Sequence, residues 1–152
     1  MIKKAIGVLG GTFDPVHFGH LRLAKCARDD FQLDEVHLLP CRVPALKPQP
    51  IATAQQRVDM LRLAIANEPG LVVDESELHR DGPSYTVDTL RALRVEVGPE
   101  CAICLIMGMD AFLSLPAWHE WQEIIGLAHV IVMQRPGYEV STKGEMADYY
   151  SE

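Results

Sequence analysis

Five short apolar runs punctuate the chain, at residues 5–9, 36–39, 71–73, 102–107 and 130–133, and they are nearly continuous rather than alternating with polar residues. Runs of this kind suit parallel strands covered on both faces, because a strand with one wet face would alternate. Between them, apolar positions recur at helical spacing. Residues 21–31 read as one helix. Thr53 with Gln56 three residues on gives a capping box, followed by Ala54, Val58, Leu61 and Ile65 along one stripe. A third helix is expected from near residues 84–86 to about Val97, where Gly98-Pro99 stops it. Strands alternating with helices predict an α/β fold, an open parallel sheet with right-handed crossovers. Ligands of such sheets sit beyond the carboxyl ends of the strands. Residues 41–52, with Pro44, Pro48 and Pro50, read as a loop over that end, and residues 141–152 carry neither a strand nor a helix period.

The chemistry concentrates where the first run ends. Gly10-Gly11-Thr12-Phe13-Asp14-Pro15-Val16-His17-Phe18-Gly19-His20 joins a strand to a helix. A glycine pair lets the backbone turn tightly and leaves room for a ligand. The helix beyond it offers unpaired N–H groups and a positive dipole end, which bind anions. His17 and His20, three apart, share one face of that helix start. Two imidazoles, a glycine between them and a helix N-terminus make a phosphate site. It is not a P-loop, because no Gly-Lys-Ser/Thr follows. Taken alone, the histidine pair is also compatible with a structural helix cap.

This segment resembles the His-x-Gly-His signature of the nucleotidyltransferase superfamily, and the longer string is similar to bacterial nicotinate-nucleotide adenylyltransferases. Pro83-Ser84-Tyr85-Thr86, Gly108-Met109-Asp110-Ala111-Phe112, Pro116-Ala117-Trp118-His119 and Gln134-Arg135-Pro136-Gly137 resemble the same family and follow in its order. The resemblance implies a Rossmann-like fold with helices on both faces of the sheet. It implies transfer of AMP from ATP to nicotinic acid mononucleotide, with Mg²⁺ accompanying ATP. The nucleophile would be a phosphate oxygen, so the site must align two anions and offset charge as pyrophosphate leaves. By resemblance, His17 and His20 are catalytic, with His20 nearest the reacting α-phosphate. Either could act as imidazolium, which a phosphate neighbour favours. ATP would meet Gly10, Gly11, Thr12, Phe13, Gly19, Lys47, Gly108 and Asp110. The pyridine nucleotide would meet Ser84, Tyr85, Thr86, Trp118 and Arg135. Amides of residues 84–86 at a helix start favour a carboxylate over a carboxamide, hence nicotinate over nicotinamide. Each residue has a plainer reading as well: Ser84 or Thr86 as an N-cap, Asp110 as a cap, Trp118 with Trp121 as packing in a short helix.

Bulk composition narrows the classes. The 152 residues are 48% hydrophobic and 23% charged, an ordinary globular profile for a single domain spanning residues 1–152. A formal charge of −7 argues against a nucleic-acid surface, which needs a basic footprint. The longest apolar region, residues 124–133, is interrupted by His129 and too short to span a bilayer, so no membrane partner is expected. Four cysteines and no export signal fit the cytoplasm. Cys101-x-x-Cys104 tempts a metal reading, but residues three apart on a strand face opposite ways, and no metal ligand set is assigned.

Two departures from the family pattern qualify the expectation. Leu46-Lys47 stands where a histidine and a basic residue are usual. The family's second signature, Ser/Thr residues followed by Ile and Arg, is missing: Ser141-Thr142 precedes Lys143-Gly144-Glu145, and no arginine follows Arg135. The chain is therefore expected to be C-terminally shortened relative to the family, with an uncovered sheet edge that leaves room for a homo-oligomer. Alternatives are adenylyl transfer to nicotinamide mononucleotide or phosphopantetheine, a nucleotide-binding module without turnover, and a metal-binding protein using His17, His20, Cys101 and Cys104.

Overall fold

The computed structural model describes residues 5–42 and 50–133. Five strands, β1 (Ala5–Gly11), β2 (Glu35–Pro40), β3 (Leu71–Val73), β4 (Ala102–Gly108) and β5 (His129–Met133), form one sheet in the order β3-β2-β1-β4-β5. All four pairings are parallel. Every predicted strand is present, each within two residues of its expected ends. The helices are α1 (Phe18–Asp30), α2 (Ala54–Ala64), α3 (Thr86–Val97), α4 (Met109–Leu113) and α5 (Trp121–Leu127), with 3₁₀ turns at Ser76–His79 and Leu115–Ala117.

The sheet is covered on both faces, and the strands alternate between the two cores. Ile6 and Val8 of β1, with Ile103, Leu105 and Met107 of β4, pack with Val87, Leu90, Leu93 and Ile124 of α3 and α5. Leu9, Leu38, Cys104 and Ile106 point the other way, into Ala24 and Ala27 of α1 and Leu61 of α2. The chain runs outward from β1 to β3, then returns across β1 to β4 and β5. Crossovers of one hand must then place the first two helices on one face and the later ones on the other. Gly7 shows how close the layers are. A Cβ there would stand 2.8 Å from both Ile106 Cδ1 and Leu33 Cδ1, closer than carbon atoms allow.

Local signals account for the helix ends. The Thr53–Gln56 capping box forms as read: the Thr53 hydroxyl accepts from Gln56 N and the Gln56 side chain accepts from Thr53 N. Val58, Leu61 and Ile65 are buried beneath it. Helix α3 ends at Gly98, whose φ of 85° is the left-handed region that glycine takes readily. Helix α1 starts at Phe18, three residues earlier than the sequence suggested. The early start follows from His17, an unusual residue for an N-cap, which closes the first turn.

Candidate functional site

Strand order reverses between β1 and β4, so their carboxyl ends diverge into a crevice where open α/β sheets take ligands. Gly10 and Gly11 end β1, and Gly108 ends β4. The glycine-rich turn and Asp110, which is exposed in the first turn of α4, therefore flank the same switch point.

The two histidines are locked to the α1 N-terminus and to each other. His17 Nδ1 accepts from Gly19 N at 3.1 Å, and His20 Nδ1 accepts from His17 N at 3.1 Å. The rings stack with centroids 3.8 Å apart and planes 24° from parallel. The sequence-level cap and the ligand reading are thus not rivals: the cap is made, and it assigns the tautomer. A ring nitrogen that accepts carries no proton, so each neutral imidazole has its N–H at Nε2. Either ring would give up its Nδ1 cap bond on becoming an imidazolium. Gly19 is held to a glycine by the same geometry, since a Cβ there would lie 2.8 Å from His17 Cε1.

Phe13 supports the pair from beneath. It is buried, adopts φ of 51°, and meets His20 edge-on with centroids 4.9 Å apart. Gly11 makes room for it, a Cβ on Gly11 lying 3.4 Å from the ring. Asp14 ties the turn to the approach of α2, accepting from Ile51 N at 2.7 Å and Ala52 N at 3.0 Å. Those backbone N–H groups hold its carboxyl below the usual carboxylate range.

Sequence reasoning missed Arg57. Its side chain is 2% exposed, and Nη1 donates to Thr12 O at 2.9 Å and Cys41 O at 2.7 Å, joining the ends of β1 and β2. The signal was present, because Arg57 lies one turn before Leu61 on the buried stripe of α2. Also missed was His37 on β2, which pairs with Asp74 at 3.1 Å and with Glu35 at 3.4 Å.

A second group of expected residues gathers at the start of α3. Tyr85 is its N-cap, and neither Ser84 nor Thr86 caps it through a side chain. Ser84 Oγ instead accepts from Arg42 N at 3.1 Å, which draws the turn towards the end of β2. Cys41, next to Arg42, donates from N to Gly11 O at 3.0 Å. Residues 41 and 42 therefore connect the histidine turn to residues 84–86. Tyr85 stacks on His119, centroids 4.2 Å apart, which brings the segment carrying Trp118 to the same place. Trp118 follows the 3₁₀ turn rather than lying in a helix with Trp121. It is partly buried against the α3–α5 core, so packing accounts for part of its surface. Asp110 is no side-chain cap, the N-cap of α4 being Gly108. Lys47, Leu46 and Arg135 lie outside the described residues, as do residues 141–152.

The cytidylyltransferase-like family matches residues 8–151. A relative from Aeromonas salmonicida (strain A449), named "Probable nicotinate-nucleotide adenylyltransferase", is 51% identical over 148 residues, 97% of this chain and 69% of its own length. One of the same name from Marinobacter nauticus is 49% identical over 145 residues, 95% of this chain and 67% of its own. Among solved structures, the Plasmodium falciparum nicotinic acid mononucleotide adenylyltransferase complexed with NaAD superposes with a TM-score of 0.74. It is 21% identical, with 91% of this chain and 68% of that one covered, and bears out the fold.

Proposed function

The chain belongs to the cytidylyltransferase-like family, and on that premise we propose that it transfers AMP from ATP to nicotinic acid mononucleotide, giving nicotinic acid adenine dinucleotide and pyrophosphate. The observation that carries the chemistry is the pair of Nδ1-capped imidazoles at the α1 N-terminus. A phosphate oxygen of the mononucleotide attacks the α-phosphorus of ATP, and the bond to the β-phosphate oxygen breaks. That nucleophile is already anionic, so the protein's task is alignment and stabilisation of developing charge. In this reading His20 and His17 donate from Nε2 to phosphate oxygens, and amides of Gly11, Thr12 and Phe13 complete the cradle. Gly10, Gly19 and Gly108 keep the approach clear, and Asp110 accepts from a ribose hydroxyl.

The donor set fits a metal carried in by the nucleotide. Imidazole N–H groups and backbone amides hold phosphate oxygens, not cations. Among the described residues no group of three or more His, Cys, Asp or Glu side chains comes together. Mg²⁺ held by the ATP phosphates would supply charge neutralisation as pyrophosphate leaves. Ser84, Tyr85, Thr86 and Trp118 take the pyridine end, with the α3 N-terminus favouring a carboxylate. No described helix is long and apolar enough to cross a membrane, and a cytoplasmic location and the single-domain organisation are part of the proposal.

The test is product identity: the chain is supplied with Mg-ATP and equimolar nicotinate and nicotinamide mononucleotides. Deamido dinucleotide as the dominant product supports the reading. Amide dinucleotide in excess would move the acceptor, and bound ATP without pyrophosphate release would replace catalysis by binding alone.

A further inference from the structure

Helix α3 presents the acceptor's pyridine end with its first turn, yet that turn has no side-chain cap of its own. Its orientation must be held from elsewhere. Glu77, in the 3₁₀ turn after β3, is only 7% exposed. Burial pushes its carboxyl up, and hydrogen bonding from Thr89 leads the opposing influences, with Arg80 and Ser84 behind it. Thr89, itself 4% exposed, lies 2.8 Å from Glu77 Oε2 and receives Arg80 Nη2 at 2.5 Å. A hydroxyl has one proton and a guanidinium only donates. Arg80 therefore occupies a lone pair, and the Thr89 proton goes to the carboxylate at 2.8 Å rather than to the longer contact with Tyr85 O at 3.4 Å. One full turn of α3 is thus pinned to the 3₁₀ turn from below, while Arg42 N holds Ser84 from the β2 side.

We propose that Glu77 is a positioning residue for the acceptor site: through Thr89 it fixes the first turn of α3 and so sets affinity for the pyridine nucleotide without touching it. The inference rests on the acceptor reading given above. It accounts for a buried carboxylate that the phosphate chemistry does not use. A charged group is kept in a dry place only when its partners hold it there, and here those partners belong to the turn that must be placed.

Titration calorimetry on the whole chain tests this with nicotinic acid mononucleotide and Mg-ATP as separate ligands. Thr89→Val keeps the shape and removes the hydroxyl. It is expected to weaken the mononucleotide roughly five- to tenfold, the worth of one hydrogen bond, with ATP affinity within about twofold of wild type. Thr89→Ser restores the hydroxyl and should restore the affinity. Glu77→Ala should lose at least as much as Thr89→Val, and if it does not fold, the Thr89 pair decides. Unchanged mononucleotide affinity in Thr89→Val overturns the proposal, as does an equal loss for ATP. A wild-type chain that binds ATP but no pyridine nucleotide overturns the acceptor reading itself, and this inference with it.

Discussion

At the scale of single residues, the histidine pair makes two separable demands. Each Nδ1 caps the helix, and in the proposed reading each Nε2–H donates to a phosphate oxygen. His20→Ala removes one cap bond from an exposed turn, about 1 kcal/mol. It also removes a donor to developing charge, which is worth on the order of 10²-fold or more in kcat. The expected outcome is near-normal thermal unfolding with turnover lost, and wild-type-like turnover would remove His20 from the site. Gly19→Ala probes the same geometry from the other side. The new Cβ collides with the His17 ring and not with backbone, so the ring can swing away at little cost to the fold. Its cap and donor then go with it. Loss of turnover with an almost unchanged melting temperature is expected; a stable variant with full activity would show that the His17 ring position does not matter.

At the scale of elements, the ends of strands are tied by side chains from helices and loops. Arg57 of α2 holds Thr12 O and Cys41 O from a fully buried position. Arg57→Met keeps most of the volume and leaves both carbonyls short of that donor, a destabilisation of about 2–5 kcal/mol. Urea unfolding measures it, and a change below about 1 kcal/mol would mean that other donors take over. The β2–β3 pair carries a pH-dependent tie. Hydrogen bonding to Asp74, then to Glu35, raises His37 above its ordinary 6.5, and His37 in turn lowers Asp74 to about 2. The histidine's contribution is full below pH 6.5 and is lost as pH rises through its raised value. The aspartate's contribution is full above 3.8 and is lost as pH falls towards 2. Both are present together between about pH 4 and 6.5. The urea midpoint should therefore sag above that window in wild type and less so in His37→Gln, and parallel profiles would sink the pairing. These ties explain what sequence could and could not disclose. Strands and caps are local, written in runs such as residues 102–107 and in Thr53-x-x-Gln56. Arg57 reaching Thr12 spans 45 positions, and only its place on the buried stripe of α2 hinted at it.

For the whole molecule, the legible quantity is the layering. Near-continuous apolar strands imply two covered faces, and a return across β1 implies helices on opposite sides. The switch point between β1 and β4 follows from that path, which is why the glycine turn and Asp110 flank one crevice despite their distance in sequence. The link from residues 41–42 to Ser84 was not legible, because a backbone N–H meeting a serine across two elements leaves no pattern. The pair of cores, one on each face of the sheet, carries a prediction through its cysteines. Cys101 lies in the α3–α5 core and Cys104 in the α1–α2 core, both buried and free. Cys101 stands just before β4 and Cys104 within it, and they pack into cores on opposite faces of the sheet. Each Cys→Ala change removes one sulfur from its own core, at roughly 1 kcal/mol. Substitutions in two separate cores are expected to add within about 0.5 kcal/mol. The double variant should accordingly lose the sum of the two single losses, read from urea midpoints at constant m-value. Coupling well beyond that margin would mean that the sulfurs share a partner, as a metal or redox pair would. Additivity instead makes each cysteine a small apolar filler of a separate layer, and leaves the chemistry of the chain to the crevice between β1 and β4.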